Sequence, residues 1–251
     1  MGPTALTGLV CYKCVVPRDV VLLPSLGRPA RDFADLQRRL ETGGFSAHAM
    51  EPCTTVEAGT TLHDLAGDVV SRLAVKGIDR FHLIGHAFGN RLARSVSADF
   101  PDRVASLTLL AAGGHHPPSD DITTSLHACF DTTLTRREHL GHVGKAFFAP
   151  GHDPSVWASG WMPAVAACQA AAVRATPLHD WWDAVAPRVL VIQGLDDLIA
   201  PPLNGRHYVE EHSEVARLVE LHDAGHALIV EQPEVIGDTI LQFLLEGEEI
   251  T

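Results

Sequence analysis

The sequence has few basic residues and no long apolar run. Lys and Arg number 19 against 31 Asp and Glu, so the formal net charge at pH 7 is −12. This charge makes nucleic acid and anionic membrane surfaces unfavourable partners. No apolar run reaches the roughly 18–20 residues that a membrane-spanning helix requires. The N-terminus also lacks a charged segment followed by an apolar one, so no signal peptide is predicted, and we expect a cytoplasmic protein.

Cysteine is scarce and shows no pattern of a metal site. The five cysteines are an odd number, which favours free thiols in a reducing compartment. Cys11 and Cys14 form a single C-x-x-C pair, but a structural zinc site needs a second pair of ligands. His115 and His116 likewise lack a third ligand at a regular spacing. No glycine-rich phosphate loop of the type G-x-x-x-x-G-K is present. We expect no metal and no other cofactor.

The pattern that is present predicts an α/β fold. Apolar residues make up 46% of the chain, and short β-branched runs alternate with amphipathic helical stretches. This alternation is typical of a mostly parallel, doubly wound sheet. The predicted strands are residues 9–16, 19–23, 46–51, 80–85, 104–112, 188–193 and 217–221. The predicted helices are residues 31–42, 61–76, 90–99 and 233–245.

One long segment interrupts this alternation. Residues 113–186 are predicted to be rich in helices and loops, and they contain all four tryptophans. The sheet elements therefore fall into two blocks with an insertion between them. We expect one domain over residues 1–251, with the functional residues at the carboxyl ends of the strands.

The segment FHLIGHAFGNRLAR contains a tight turn between a strand and a helix. Gly85 and Gly89 frame Ala87, and this is the spacing of the motif G-x-S-x-G with alanine in the serine position. Small residues are required at this turn because the strand and the helix pass closely. The N-terminus of the helix that follows favours negative charge near residue 87. A plain strand-to-helix turn with two glycines is the alternative interpretation.

With this turn and the helix and strand that follow it, the chain resembles the α/β-hydrolase superfamily over residues 20–245. The resemblance implies an α/β-hydrolase fold in which residues 113–186 form a helical cap. The superfamily orders its triad as nucleophile, acid and histidine. Asp197 in GLDDLIAP is the implied acid, and His226 in DAGHALIVEQP is the implied base. Asp196 and His222 are the less favoured neighbours.

The resemblance also implies an oxyanion hole made of two backbone N–H groups. One belongs to Phe88, directly after the nucleophile position. The other belongs to Leu26, in a loop where Pro24 and Ser25 depart from the H-G-x-G of many members. Ser25 is either a turn residue or a hydroxyl near the nucleophile position, as a substrate contact or a substitute nucleophile.

Aromatic residues in the implied cap either pack it onto the core or roof a pocket. They are Phe130, Phe147, Phe148, Trp157, Trp161, Trp181 and Trp182. A small-to-medium apolar or aromatic substrate is favoured. The candidate substrate-binding residues are Ser25, His86, Trp157 and Trp161. We expect a small-molecule partner and a monomer or homodimer.

Alanine cannot act as a nucleophile, so a covalent acyl-enzyme through residue 87 is impossible. The sequence does not separate two explanations for Ala87. One is natural divergence, for which the departures at Pro24, Ser25 and Asn90 argue, and the other is an engineered replacement of serine, a common change that offsets this argument. The first functional hypothesis is a hydrolase of an apolar ester, lactone or related carbonyl compound. The alternative is a lyase, isomerase or cofactor-free enzyme that uses His226 and Asp197 as a general base. The third is a ligand-binding protein without catalytic activity.

Overall fold

The computed structural model describes residues 17–54, 57 and 59–247. Its strands are β1 Asp19–Leu23, β2 Ser46–Ala49, β3 Phe81–His86, β4 Val104–Leu110, β5 Val189–Gly194 and β6 Ala216–Leu221. They form one sheet in the order β2-β1-β3-β4-β5-β6, and every pair of neighbours is parallel. The predicted parallel sheet is confirmed. The strand predicted over residues 9–16 and the pair Cys11 and Cys14 lie outside the described residues.

Helices connect these strands and flank the sheet. They are α1 Ala34–Thr42, α2 Leu62–Val75, α3 Phe88–Asp99, α4 Asp120–Ala128, α5 Arg136–Phe147, α6 Pro163–Ala175, α7 Leu203–Glu211, α8 Leu228–Glu231 and α9 Pro233–Glu246. Helix α2 begins where the sequence predicts, because Thr61 and Asp64 form a reciprocal capping box. Within the part of the chain described, no helix is long and apolar enough to cross a membrane.

Both faces of the sheet are buried. Neighbouring side chains on a strand point to opposite faces, so Leu83 packs in one core and Ile84 in the other. Helices α2 and α3 cover the first core, and α1 and α9 cover the second. Strands β3 and β5 are buried along their whole length, as is common for central strands of a parallel sheet that is covered on both faces.

The insertion predicted between the two blocks of the sheet lies between β4 and β5. It contains α4, α5 and α6 and has a small apolar core of its own around Phe147, Phe148 and Trp157. Ala227, which follows β6, packs into the same core, and its backbone N–H donates to the carbonyl oxygen of Phe147 at 2.8 Å. The helical insertion is therefore joined directly to the loop that carries His226.

Candidate active site

The turn between β3 and α3 is strained and tightly packed. Ala87 has φ +53° and ψ −108°, a conformation that a residue with a side chain rarely adopts. A methyl group on Gly85 would overlap with the carbonyl oxygen of Gly89. A methyl group on Gly89 would overlap in turn with the carbonyl oxygen of Leu23. The two glycines are thus required because β1, β3 and α3 pass each other at this point.

Asp197 and His226 meet at the same end of the sheet. Asp197 follows β5 and His226 follows β6, so parallel strands bring both to the carboxyl edge where Ala87 lies. Nδ1 of His226 lies 3.0 Å from Oδ1 and 2.9 Å from Oδ2 of Asp197. The Asp197 side chain is fully buried, and 4% of the His226 side chain is exposed. The pair predicted from two separate sequence segments is in hydrogen-bond contact.

Other hydrogen bonds fix the orientation of the carboxylate. Oδ1 of Asp197 accepts from the backbone N–H groups of Ile199 and Ala200 at 3.0 and 2.7 Å. Oδ2 accepts from Nε2 of Gln193 at 3.2 Å. Because a carboxylate only accepts hydrogen bonds, Nδ1 of His226 is the donor to Asp197, which leaves Nε2 as the nitrogen that can act as a base. Nε2 has no hydrogen-bond partner among the residues described.

His86 supports the histidine loop from the side of the sheet. Its Nε2 donates to the carbonyl oxygen of His226 at 2.7 Å, and the two ring centroids lie 5.6 Å apart. Complete burial, with a smaller contribution from His226, lowers the pKa of His86 to about 3, so this ring is neutral at physiological pH. Sequence analysis assigned His86 to substrate binding, but the structure places it in the core beneath His226.

A cavity of about 260 Å³ joins most of the predicted site residues. It is lined by Ser25, Leu26, Ala87, Phe88 and His226, which come from three separate segments of the chain. Apolar side chains of the helical insertion complete the wall: Leu126, Phe147 and Val173. The volume lies slightly below the usual range for small-molecule sites. The cavity therefore suits a small, mainly apolar ligand.

Two predicted substrate-binding residues lie elsewhere. Trp157 and Trp161 are not among the described residues that line this cavity. Their rings stack on the guanidinium group of Arg28, at 4.4 and 4.6 Å from its central carbon. Trp157 is 1% exposed and packs against Phe147, which itself faces the cavity. The tryptophans thus build the insertion's core and support the cavity wall from behind.

The backbone near Ala87 offers two hydrogen-bond donors. Neither the N–H of Leu26 nor that of Phe88 donates to another residue in the described part of the chain, and both residues line the cavity. Phe88 is the first residue of α3, where the N–H has no acceptor within the helix. The Leu26 loop is held because Gly27, at φ +58°, donates its N–H to Oε1 of Gln169 at 2.8 Å.

Comparison with known proteins decides the family. The family described as "Alpha/beta hydrolase family" matches residues 20–239. The chain belongs to this family. The resemblance identified from the sequence is therefore confirmed, and with it the α/β-hydrolase fold.

This α/β hydrolase is similar to several curated proteins and solved structures. The proposed carbamate hydrolase RutD of Caulobacter segnis is 23% identical over 94% of this chain and 96% of its own. RutD of Klebsiella pneumoniae is 28% identical over 74% and 73%. Among solved structures, the proposed non-heme bromoperoxidase BpoC of Mycobacterium tuberculosis has a TM-score of 0.77 at 20% identity, covering 91% of this chain and 92% of its own. The enol-lactonase of Burkholderia xenovorans has a TM-score of 0.74 at 22% identity, covering 92% of both. The structural matches establish the fold.

Two arginines in the cavity of this α/β hydrolase were missed by sequence analysis. Arg91 lines the cavity from α3, and Arg174 lines it from α6, where it is exposed. The signal for Arg91 is its spacing, since it lies four residues after Ala87 and therefore about one helical turn along α3. Nothing in the sequence distinguishes Arg174 from the other basic residues.

A separate polar cluster lies outside the cavity. The ligand atoms of Asp183, Glu211 and His212 lie within 4.8 Å of one another, as in some metal sites. Asp183 and Glu211 are exposed, and Glu211 already accepts a hydrogen bond from Nε1 of Trp182 at 2.7 Å. Exposed acidic groups of this kind are common without an ion, so we assign no metal to the cluster.

Proposed function

We propose that the protein hydrolyses an ester, lactone, carbamate or related carbonyl compound of apolar character, with His226 activating water directly. One observation carries the proposal. His226 is held by both oxygens of the buried Asp197 and lines a cavity in which the serine position offers only the methyl group of Ala87. A base without a neighbouring nucleophile acts on water or on the substrate itself. The carbamate in the name of the RutD relatives belongs to the same class of carbonyl compound.

The reaction begins with a water molecule between His226 and the substrate carbonyl. Nε2 of His226 takes a proton from this water as its oxygen adds to the carbonyl carbon. Asp197 stabilises the imidazolium that forms without taking the proton itself. The negative charge that develops on the carbonyl oxygen is stabilised by the N–H groups of Leu26 and Phe88.

The tetrahedral intermediate then collapses. The bond from the carbonyl carbon to the leaving oxygen or nitrogen breaks, and the imidazolium of His226 returns the proton to the leaving group. General-base catalysis contributes about 10²–10⁴ to the rate, and each oxyanion donor about 10²–10³. These contributions are sufficient for hydrolysis of activated esters without a covalent intermediate.

The variant His226→Gln tests the proposal, and His222→Gln is the control at a nearby histidine. We would measure kcat/KM for phenyl acetate, dihydrocoumarin and phenyl carbamate with the wild type, His226→Gln and His222→Gln. His222 is exposed and its side chain takes no part in the site. At least one substrate should be hydrolysed, His226→Gln should lower kcat/KM about 10²–10⁴-fold, and His222→Gln should leave it within about twofold. Equal rates for wild type and His226→Gln on all three would refute the hydrolase.

The same observation favours a second function. Because residue 87 has no hydroxyl, Nε2 of His226 faces a bound substrate as directly as it faces water. It could then remove a proton from a carbon or hydroxyl of the substrate, as in lyases and isomerases. Product analysis separates the two, since hydrolysis adds the elements of water and isomerisation leaves the mass unchanged. Ligand binding without any His226-dependent product would leave a binding protein.

A further inference from the structure

Arg91 is a half-buried cation without a hydrogen-bond or ion-pair partner among the described residues. It lines the cavity from α3, and its guanidinium nitrogens donate to no acceptor within the described part of the chain. No described carboxylate lies within ion-pair distance, and burial alone lowers its pKa. Its Nη2 lies beside Gly113, which also lines the cavity. The guanidinium of this side chain therefore keeps hydrogen-bond donors that the described residues do not use.

Arg28, by contrast, is a fully buried arginine that has a carboxylate partner. Arg28 is 1% exposed, and its Nε and Nη2 donate to both carboxylate oxygens of Asp32 at 2.7 and 3.1 Å. A third nitrogen of Arg28 donates to the carbonyl oxygen of Ser159 at 2.9 Å. Arg28 therefore has its counter-ion within the fold. The absence of one at Arg91, among the residues described, points to a counter-ion that the protein itself does not provide.

A second arginine adds positive charge behind Arg91. Arg94, three residues later on α3, is fully buried and donates to Oδ1 of Asn90 at 2.7 Å and to the carbonyl oxygen of Gly113 at 2.6 Å. These acceptors are neutral, and Nη1 of Arg94 has no hydrogen-bond partner. The guanidinium groups of Arg91 and Arg94 both lie over the ring of Trp181. This pair of cations therefore lowers the energy of an anion at the Arg91 end of the cavity.

The charge of this site is opposite to that of the chain. The chain carries a net charge of −12, yet no Asp or Glu occurs among the described residues that line the cavity. The charged groups facing it are Arg91 and the exposed Arg174, with His226 as the third ionisable side chain. The rest of the lining is mainly apolar. Because the cavity is small, the anion must be a compact group attached to an apolar body.

We propose that Arg91 binds a carboxylate of the substrate, so that the substrate class is an apolar carbonyl compound with a free carboxylate. A guanidinium binds a carboxylate through two parallel hydrogen bonds, which also fixes its orientation. Arg91 thus positions the reacting carbonyl between His226 and the donors near Ala87. The reacting carbonyl rests on the proposed function, whereas binding of the carboxylate does not.

Binding tests the carboxylate site without requiring activity. We would titrate phenylacetate and its neutral analogue phenylacetamide into the wild type, Arg91→Gln, Arg91→Lys and Arg206→Gln by calorimetry. Arg206 pairs with Glu220 and does not line the cavity, so it controls for the loss of one positive charge. Wild type and Arg206→Gln should bind phenylacetate at least about 10-fold more tightly than phenylacetamide. Arg91→Gln should lose this preference, and Arg91→Lys should retain part of it.

Kinetics test the same site in the reaction. We would compare kcat/KM for monophenyl adipate with that for its neutral amide, phenyl adipamate. The ratio should be about 10 or more in the wild type and near 1 in Arg91→Gln. A wild type without preference in both experiments, or a preference that survives in Arg91→Gln, overturns the inference.

The two proposals fail in different ways. Arg91-dependent binding of phenylacetate without hydrolysis of any ester supports the carboxylate site and refutes the hydrolase. His226-dependent hydrolysis of both adipate esters at equal rates, together with equal binding of phenylacetate and phenylacetamide, supports the hydrolase and refutes the carboxylate site.

Discussion

The carboxylate of Glu231 accepts a hydrogen bond from the backbone N–H of Gly225, 2.8 Å away and one residue before His226. Its other oxygen accepts from the N–H of Ala149 at 2.6 Å, so one side chain joins the histidine loop to the helical insertion. Burial raises the pKa of Glu231. Burial thus disfavours the charged form of Glu231, while its two hydrogen bonds hold the loop that carries the proposed base.

Replacing Glu231 by glutamine should therefore weaken the loop. Glutamine has one acceptor oxygen, so one of the two N–H groups would face an amide NH₂ instead. We expect Glu231→Gln to lower the free energy of unfolding by about 1–3 kcal/mol and to lower kcat more than it changes KM. Denaturant unfolding and steady-state kinetics check this. Glu234→Gln, at an exposed position on α9, should change stability by less than about 0.5 kcal/mol, and equal effects of the two substitutions would contradict the positioning role.

The close approach of β1 and α3 predicts a large effect of one methyl group. A Cβ at position 89 would overlap with backbone at Leu23 and Pro24, which cannot move without shifting β1. We expect Gly89→Ala to lower the free energy of unfolding by more than about 3 kcal/mol. Gly141 on α5 has open space around its Cβ position, so Gly141→Ala should raise stability by up to about 1 kcal/mol. Thermal unfolding of both variants is the measurement, and a stable Gly89→Ala would contradict the packing described here.

Two buried histidines make stability dependent on pH. Burial lowers the pKa of His82 to about 4 and that of His86 to about 3 in the folded protein. As pH falls below about 6.5, the unfolded chain binds these two protons while the folded chain does not, so the free energy of unfolding decreases. The decrease continues until the pH reaches the pKa values of the folded state. Each histidine contributes a slope of at most about 1.4 kcal/mol per pH unit.

Denaturant unfolding between pH 7 and pH 4.5 measures this slope. His82→Gln removes one of the two protons, so its slope near pH 5 should be smaller than that of the wild type by about 1.2 kcal/mol per pH unit. The difference in slope is independent of any constant loss of stability from the hydrogen bonds of His82 with Ser106 and Pro17. Identical slopes would show that His82 is protonated equally in the folded and unfolded states.

Because Arg91 has no counter-ion among the described residues, we expect its replacement by an apolar residue to raise the free energy of unfolding while it weakens binding of a carboxylate. Replacing a half-buried charge without a counter-ion by an apolar side chain of similar size removes part of a desolvation cost. We expect Arg91→Met to raise the free energy of unfolding in the absence of ligand by about 1 kcal/mol, measured by denaturant unfolding. Arg28→Met, which leaves Asp32 buried without its partner, should instead destabilise the protein. Destabilisation by Arg91→Met would mean that Arg91 has a structural role.

The fold and the contact between Asp197 and His226 could be predicted because their signals are local. Asp197 lies in a short turn after the buried strand β5, and His226 lies in the loop after the partly exposed strand β6. The parallel sheet then brings the two turns together without further information. Helix α7 was missed because LNGRHYVEE has no apolar stripe. It is helical because Tyr208 packs in the core.

The lining of the cavity could not be predicted, because it depends on tertiary packing. An aromatic side chain in the insertion faces either the cavity or the insertion's own core, and the sequence is the same in both cases. Phe147 faces the cavity, whereas Trp157 is enclosed by Arg28 and Phe148. Arg91 is one of 19 basic residues in the sequence, and only the structure shows that it lacks a carboxylate partner among the residues described.

In the proposed mechanism, His226 activates water and no covalent intermediate forms. Intact-mass spectrometry during turnover of phenyl acetate tests it most directly, with the wild type and Ala87→Ser quenched in parallel. We expect the wild type to stay unmodified while His226-dependent product accumulates, and Ala87→Ser to carry an acetyl adduct at position 87. An acetyl adduct on the wild type, at Ser25 in the cavity or at any other nucleophile, would contradict direct attack by water.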